Sequence, residues 1–596
     1  ARAAAKLARI VYTPLPPLIT IEQALAAKSY LMPPVVWSKG DAAAAIAAAP
    51  RRLEGRIEIG GQEHFYLETQ AALAWLDEAG GVSVHSSTQH PAETQDVVAR
   101  CLGLGRNQVT VECLRLGGAF GGKESQANLW AAIAALGASV TRRPVRVRLP
   151  RALDIALTGK RHPYLARFKA GFNRDGVLQA LEATLYSDGG WSLDLSEPII
   201  WRSLFHLDNT YYLPNASLTG WVCRTNKTSQ TAFRGFGGPQ GMVVIEDILD
   251  RAARTLHLAP ELVRERNFYR EDQVTHYGET IHGAGRLHRL WHQLKTTSHY
   301  EDRRLEIETW NANHHGLARR GLAITPVKFG ISFTAQFFNQ GGALVLVYRD
   351  GTVQVNHGGV EMGQGLFTKI QVLAARELGI DPSLIRLMPT STAKVPNTSA
   401  TAASAGTDLN GAAVVDACRQ LRDRLQPHFP DGLSGIEAWK KAVEAAYRHR
   451  VPLFAQGFYR TPDIWFDYSK GQGRPFHYYA WGAAVAEVEI DGYTGATKIL
   501  RADILHDCGD SLAPLIDRGQ IEGGFVQGAG WLTLEDLRWD SQGRVATGGA
   551  STYKLPSFSE MPAVFNVAFL EDATEPGVVA GSKAVGEPPL MLAISV

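Results

Sequence analysis

Apolar positions recur along this chain with two periods. Alternation over Val345–Tyr348 and Val353–Asn356, either side of Arg349-Asp350-Gly351-Thr352, predicts a β-hairpin. A second hairpin is predicted from Val485–Ile490 and Lys498–Ile504, with Asp491-Gly492 opening the connection. Helical spacing appears at Leu129, Ile133 and Leu136, a run that Gly137 can stop. It recurs at Ile245, Ile248, Leu249, Ala252 and Leu256, and at Val414, Ala417, Leu421 and Leu425. Ser434-Gly435-Ile436-Glu437 reads as a capping box opening a helix through Trp439, Val443 and Tyr447. Residues 1–30 read as a helix, a short strand at Ile10–Tyr12 and a proline-rich turn. Residues 55–150 otherwise read as strands and loops. A polar, His-rich stretch near 270–315 is the candidate domain boundary. Its histidines (His276, His282, His288, His292) lack metal-ligand spacing and read as solvated.

Composition narrows the class. The chain has 596 residues, 45% hydrophobic and 20% charged, enough for roughly three to five packed units and against disorder. A formal net charge of +2 gives no general attraction to nucleic acid or anionic membrane. No run of about 18 apolar residues predicts a membrane span. The five cysteines form no CxxC pair, which argues against a disulfide scaffold, a zinc site or an iron–sulfur site here and fits a reducing cytoplasm. The opening helix and the apolar run reaching Val596 both read as cut, so a piece of a longer protein is expected.

Candidate chemistry lies in loops of small residues. Gly581–Leu590 holds one carboxylate, Glu587, between Gly586 and two prolines. Pro588 biases Glu587 away from helix, and a carboxylate on a stiff turn suits a catalytic base. Gly117–Ser125 enters a helix and offers backbone N–H groups to an anion or oxo group. It nearly matches the P-loop, but Glu124 stands where a magnesium-binding Ser or Thr is required, which disfavours nucleotide hydrolysis. Thr231–Gly241, Glu361–Gly365, Thr401–Gly406 and Gly519–Gly524 repeat the design, the last read as a fifth loop. His85–Pro91 closes a strand with hydrogen-bonding residues, among them Gln89, which can both donate and accept. Five such loops could surround one large polar cofactor.

Together these loops resemble the molybdenum-binding part of the xanthine oxidase and aldehyde oxidase family of molybdenum hydroxylases. The matching pieces are residues 117–124, 231–241, 328–334, 361–365 and 583–589, in the family's order over nearly the whole chain. The resemblance implies an α+β fold of two large mixed α/β domains around a central cofactor. Residues 1–30 would end a truncated, hammerhead-like N-terminal domain. Residues 31–290 and 291–596 would be the molybdopterin-binding domains, the second incomplete. It implies molybdopterin, its molybdenum held by the pterin dithiolene and bearing oxo, sulfido and hydroxide groups. Glu587 would be the general base. Gln89, Phe120, Gly121, Arg234, Gln364, Ala402, Ala403, Ser404 and Gln520 would contact the cofactor, with Gln89, Phe120, Gly121, Arg234 and Glu587 near the metal.

For substrate, the resemblance implies a purine between Phe236 and Phe333, with Thr334 beside it. Glu124, in its protonated form, and Arg202 would orient the ring, and Arg202 would stabilise developing negative charge. That pair favours oxidised purines (hypoxanthine to xanthine, xanthine to uric acid, with water-derived oxygen) over an aldehyde or N-heterocycle hydroxylase. A third reading is a non-catalytic subunit of such a complex. The family's 2Fe-2S clusters and FAD are expected on partner domains or a partner subunit, in a cytoplasmic dimer of heterodimers. This chain itself is expected to bind pterin and purine and not NAD.

Overall fold

The computed structural model describes residues 6–13 and 16–596. Its first half builds two five-stranded sheets. One orders its strands Val35–Lys39, Ala216–Cys223, Leu178–Asp188, Tyr164–Phe172 and Arg51–Ile59, with a single parallel pair between Leu178–Asp188 and Ala216–Cys223. The helices Ser196–Phe205 and Gly238–Leu256 contribute to the large core that this sheet shares. Ile245, Ile248, Leu249 and Ala252 point inward there, as their spacing predicts. The other sheet runs Thr390–Ser391, Val109–Cys113, Val82–Ser86, Ala71–Leu76 and Val145–Arg148. Its edge pair is supplied from the second half of the chain: Thr390 and Ser391 lie opposite Cys113 and Glu112.

The second half adds two four-stranded sheets. Arg319–Ile331, Tyr478–Ile490, Thr497–His506 and Val564–Phe569 form one, with Tyr478–Ile490 paired to Arg319–Ile331 over 13 positions. Ile385–Leu387, Val353–His357, Gln340–Val347 and Phe454–Arg460 form the other, under the helices Leu366–Leu378, Ala412–Leu425 and Gly435–Arg448. Both predicted hairpins are present. Among the described residues no helix is long and apolar enough to cross a membrane. Helices and mixed sheets together make an α+β fold.

Several expectations change. Residues 1–5, most of the first half of the opening helix, lie outside the described residues. Lys6-Leu7 is a turn, and Ile10–Tyr12 is exposed and pairs with no strand among the described residues. Residues 55–150 hold a helix, Pro91–Leu102, besides strands and loops; Pro91 sits in its first turn and Gly103 closes it at φ 67°. The helix Ala127–Thr141 passes through Gly137, where a Cβ would come within 3.1 Å of Val145, so that glycine serves close packing and not termination. Its buried face is alanine (Ala131, Ala134, Ala135, Ala138); Leu129, Ile133 and Leu136 are 57%, 44% and 47% exposed. Alanine wins that face because the helix lies close on its sheet.

Gly519–Gly524 is no loop but the middle of the helix Pro514–Thr533. A Cβ on Gly524 would meet the Arg234 guanidinium and Pro589 at 3.0 Å, and one on Gly528 the Leu590 carbonyl at 2.1 Å. Its glycines admit neighbours. Ser434 makes no side-chain cap bond, Gly435 taking φ 70°, and Tyr447 is exposed. His276 is buried, bonded through Nε2 to the Leu204 carbonyl at 2.8 Å and pushed down to about 3 chiefly by burial. His282 and His292 are exposed.

The burial pattern of Ala127–Thr141 gives a paired test on this chain. Ala135→Leu overfills a closed face and is expected to cost about 1–3 kcal/mol. Leu136→Gln is expected to stay within about 0.5 kcal/mol. Urea unfolding followed by circular dichroism measures both; the reverse ranking would restore the leucine face as the core face.

Candidate active site

The small-residue loops converge on one cavity of about 580 Å³. Twelve of the fifteen candidate residues line it: Gln89, Phe120, Gly121, Glu124, Arg234, Phe236, Gln364, Ala402, Ala403, Ser404, Gln520 and Glu587. Arg202, Phe333 and Thr334 do not line it.

Two side chains hold the loops together. Gln89 accepts at Oε1 from the N–H of Gly121 at 3.0 Å and Lys123 at 3.3 Å. It donates from Nε2 to the Thr401 carbonyl at 3.0 Å, and its own backbone bonds Lys123 and Thr401. The Gln89 amide thus joins two loops about 280 residues apart in sequence. Arg234 donates from Nε to the Gly586 carbonyl, from Nη1 to Gln527 Oε1 at 3.0 Å and from Nη2 to the Gln520 carbonyl at 2.9 Å. Its backbone N–H bonds the Phe120 carbonyl. Burial pulls the guanidinium down to about 10, against the charge of Glu587.

The backbone is unusual where it faces the cavity. Phe120, Phe236, Ala403 and Ser404 all have φ between 51° and 55°. Left-handed conformations at non-glycine residues cost energy and cluster at functional sites. Gly363, Gly519 and Gly523 also line the cavity, and a Cβ on any of them meets no heavy atom within 4 Å. Side chains there would fill open space.

Glu587 follows the expected turn but not the expected backbone. Its φ and ψ of −97° and −42° are helical, because it caps the short helix Pro588–Met591 and Pro588 sits in the first turn. Gly586 keeps negative φ; it is required by close approach, since a Cβ would lie 2.8 Å from Ser404 Oγ. The Glu587 carboxylate accepts from the Gly235 N–H at 3.0 Å and from Ser404 Oγ at 3.0 Å. Ser404 Oγ in turn accepts from the Glu587 N–H at 2.9 Å. Side chain and backbone are both fixed.

Glu124 is buried and raised to about 8, first by burial and then by the negative charges of Glu93, Asp194 and Glu587. That shift favours its neutral form near pH 7, which keeps negative charge away from Glu587. Arg202 lies behind the cavity wall. Nη1 donates to the Gly330 carbonyl and Nη2 to the Ser332 carbonyl, both at 2.8 Å. Phe329 and Phe476 each lie 5.0 Å from the guanidinium. Among the described residues, the buried Nε of Arg202 has no hydrogen-bond acceptor. Burial lowers its pKa, and the charge on Glu587 leads the opposing effects. Phe333 packs on Phe338 with centroids 5.6 Å apart, and its backbone is tied at both ends to Asn339.

Other lining residues carry no sequence signal of their own. Lys369 pairs with Asp517 beside Asp408, which burial raises to about 6. Behind Arg234, the buried Arg161 donates to the Arg234 carbonyl from both terminal nitrogens at 3.1 Å, between Phe233 and Trp531. Isolated basic residues in ordinary segments become recognisable only once the loops are assembled.

The donor set fits a metal that arrives already liganded. Among the described residues the one group of three His, Cys, Asp or Glu close enough to hold an ion is Glu271, Asp272 and His282, exposed and outside the cavity. The cavity instead offers amides, backbone N–H groups and glycine-lined space, the surroundings that a pterin carrying its own dithiolene would need.

Comparison with known proteins agrees. Models described as molybdopterin cofactor-binding domain match residues 26–268 and 293–562. The chain is 46% identical over 597 positions to the xanthine dehydrogenase/oxidase of Mus musculus, covering 100% of this chain and 44% of that protein. Identity to the xanthine dehydrogenase of Oryza sativa subsp. japonica is 44% over 607 positions, with the same coverage. The chain therefore spans less than half the length of these curated relatives. In fold, it superposes on the aldehyde oxidoreductase of Desulfovibrio gigas with a TM-score of 0.89 at 24% identity, covering 100% of this chain and 64% of that one. It superposes on the quinoline 2-oxidoreductase of Pseudomonas putida 86 with a TM-score of 0.87 at 23% identity, covering 100% and 80%. With matches on both halves that enclose the cavity, the chain belongs to the molybdopterin cofactor-binding domain family.

Proposed function

We propose that this chain is the molybdenum-binding part of an enzyme that hydroxylates purines, hypoxanthine to xanthine and xanthine to uric acid, with oxygen from water. The observation that carries the reading is that Glu587 and Glu124 both line the cavity, with the buried Arg202 behind its wall. Residues 31–290 and 291–596 are taken as the two cofactor-binding domains. Iron–sulfur and FAD groups on partner domains would receive the electrons, in a cytoplasmic dimer of heterodimers.

Gln89, Phe120, Gly121, Gln364, Ala402, Ala403, Ser404 and Gln520 would hold the cofactor, and Arg234 would fix the loops around it. We take the metal to carry oxo, sulfido and hydroxide ligands. When bound, the cofactor would supply Lewis acidity towards a water-derived oxygen and an acceptor for the electron pair of the oxidised C–H bond. Glu587 takes the proton of that oxygen at its carboxylate, which the Gly235 N–H and Ser404 Oγ keep aimed. Neutral Glu124 donates a hydrogen bond to a ring nitrogen. Arg202 stabilises negative charge developing on the purine through the donors it does not spend on Gly330 and Ser332. Phe236, and Phe333 with Thr334 from the adjoining segment, flank the ring.

The direct test is xanthine-dependent dye reduction by the complete enzyme, with molybdenum measured on the same sample. Turnover supports the purine reading. Metal without xanthine turnover, but with aldehyde or N-heterocycle turnover, would replace it. Glu587→Gln is expected to lower turnover roughly 10²- to 10⁴-fold with metal content unchanged; retained activity would remove Glu587 from the chemistry. Arg202→Met is expected to lower kcat/KM for xanthine roughly 10- to 100-fold, with a much smaller loss on aldehydes. Equal losses on both would end its role in purine orientation. Glu124 is a donor below its pKa of about 8 and loses its proton above it. The KM for xanthine is therefore expected to rise as pH passes through about 8, and Glu124→Gln, which keeps a donor, is expected to flatten that rise. An identical pH profile in the variant would assign the titration elsewhere.

A further inference from the structure

Trp465–Asp467 and Gln472–Arg474 form a two-stranded sheet that joins no larger one. Such a hairpin is marginal by itself and depends on what its side chains touch. Tyr468, at its turn, touches two segments at once. Its hydroxyl donates to the Thr334 carbonyl at 2.5 Å. Its ring stacks on Trp201, with centroids 4.1 Å apart and planes 26° apart. Trp201 is the neighbour of Arg202 on the helix Ser196–Phe205. Behind Tyr468, Phe466 lies 5.0 Å away and anchors the hairpin against Trp37 and Phe205.

The two segments that Tyr468 spans carry Arg202 on one side and Phe333-Thr334 on the other. Elsewhere they are joined by the Arg202 guanidinium, through the carbonyls of Gly330 and Ser332, and by His206 at the end of that helix, whose Nε2 accepts from the Gly330 N–H at 3.0 Å. The His206 bond stops at Gly330, short of Phe333, and Arg202 is itself assigned to substrate in the reading above. Tyr468 reaches Thr334, beside Phe333, without involving Arg202. We infer that Tyr468 is a positioning residue of the purine site: its hydroxyl and ring clasp the Phe333-Thr334 segment to the helix of Arg202 and so set purine affinity. The inference rests on the purine reading above for its substrate.

In this role the clasp matters most for a substrate that must meet Arg202 and Phe333 together, and least for a small aldehyde. Tyr468→Phe removes the hydroxyl and keeps the stack. In the complete enzyme with its redox partners, one lost hydrogen bond is expected to raise the KM for xanthine roughly two- to tenfold. The kcat should stay within about twofold, with molybdenum content and melting temperature unchanged. Tyr468→Ala should raise the KM further. Hydrogen exchange at the amides of 332–339 should quicken in Tyr468→Phe. A KM equal to wild type, or equal losses in kcat/KM for xanthine and an aldehyde, would overturn the proposal. If the wild-type enzyme proves inert towards xanthine, the purine reading falls, and exchange decides the clasp alone: faster exchange keeps it, unchanged exchange ends it.

Discussion

The guanidinium of Arg234 is the joint on which the cavity depends. One side chain ties the loop before the helix Gly238–Leu256 to the helix Pro514–Thr533 and to the turn carrying Glu587. A buried cation is stable only if its donors are used, and here a cation from the first half of the chain meets acceptors that all come from the second. Removing it would strand the acceptors at Gly586, Gln520 and Gln527. Gln89 makes the matching join on the other side of the cavity, with a neutral amide in place of a charge. Between them, loops from distant parts of the sequence are held at a spacing that no single domain core could impose.

What surrounds this joint is strained and open. Left-handed backbone at Phe120, Phe236, Ala403 and Ser404 is tolerated because the neighbouring bonds over-determine it. The result is a rigid cradle presenting backbone N–H groups and amides, with Glu587 locked at its edge. Rigidity of this kind aims the base and leaves little to reorganise when substrate arrives.

Much of this was legible in the residue order, and the reasons differ from loop to loop. Gly117–Ser125, Thr231–Gly241, Glu361–Gly365 and Thr401–Gly406 advertise themselves because small residues placed before a helical period have few other uses. Gly519–Gly524 looked the same and is helix, since a glycine that admits Arg234 and Pro589 cannot be told from a turn glycine without those partners in view. The helix Ala127–Thr141 misled in the opposite sense: leucines mark a core face only where the neighbour stands far enough away, and alanine took the close side. Arg202 was named through the family resemblance, but its partners are backbone carbonyls at Gly330 and Ser332, and carbonyls leave no trace in side-chain chemistry. Tyr468 was invisible for the same reason.

The strand Val109–Cys113 has a consequence for how the chain is made. Its outer neighbour is the two-residue strand Thr390–Ser391, so that edge of its sheet stays unpaired while roughly 280 further residues are translated. At about 5–20 residues per second this is roughly 15–60 s on the ribosome with an open strand edge. An open edge is a template for pairing with another chain. Yield in the cell should therefore be governed by what shields that edge during synthesis, a burden set by topology and independent of how stable the finished molecule is.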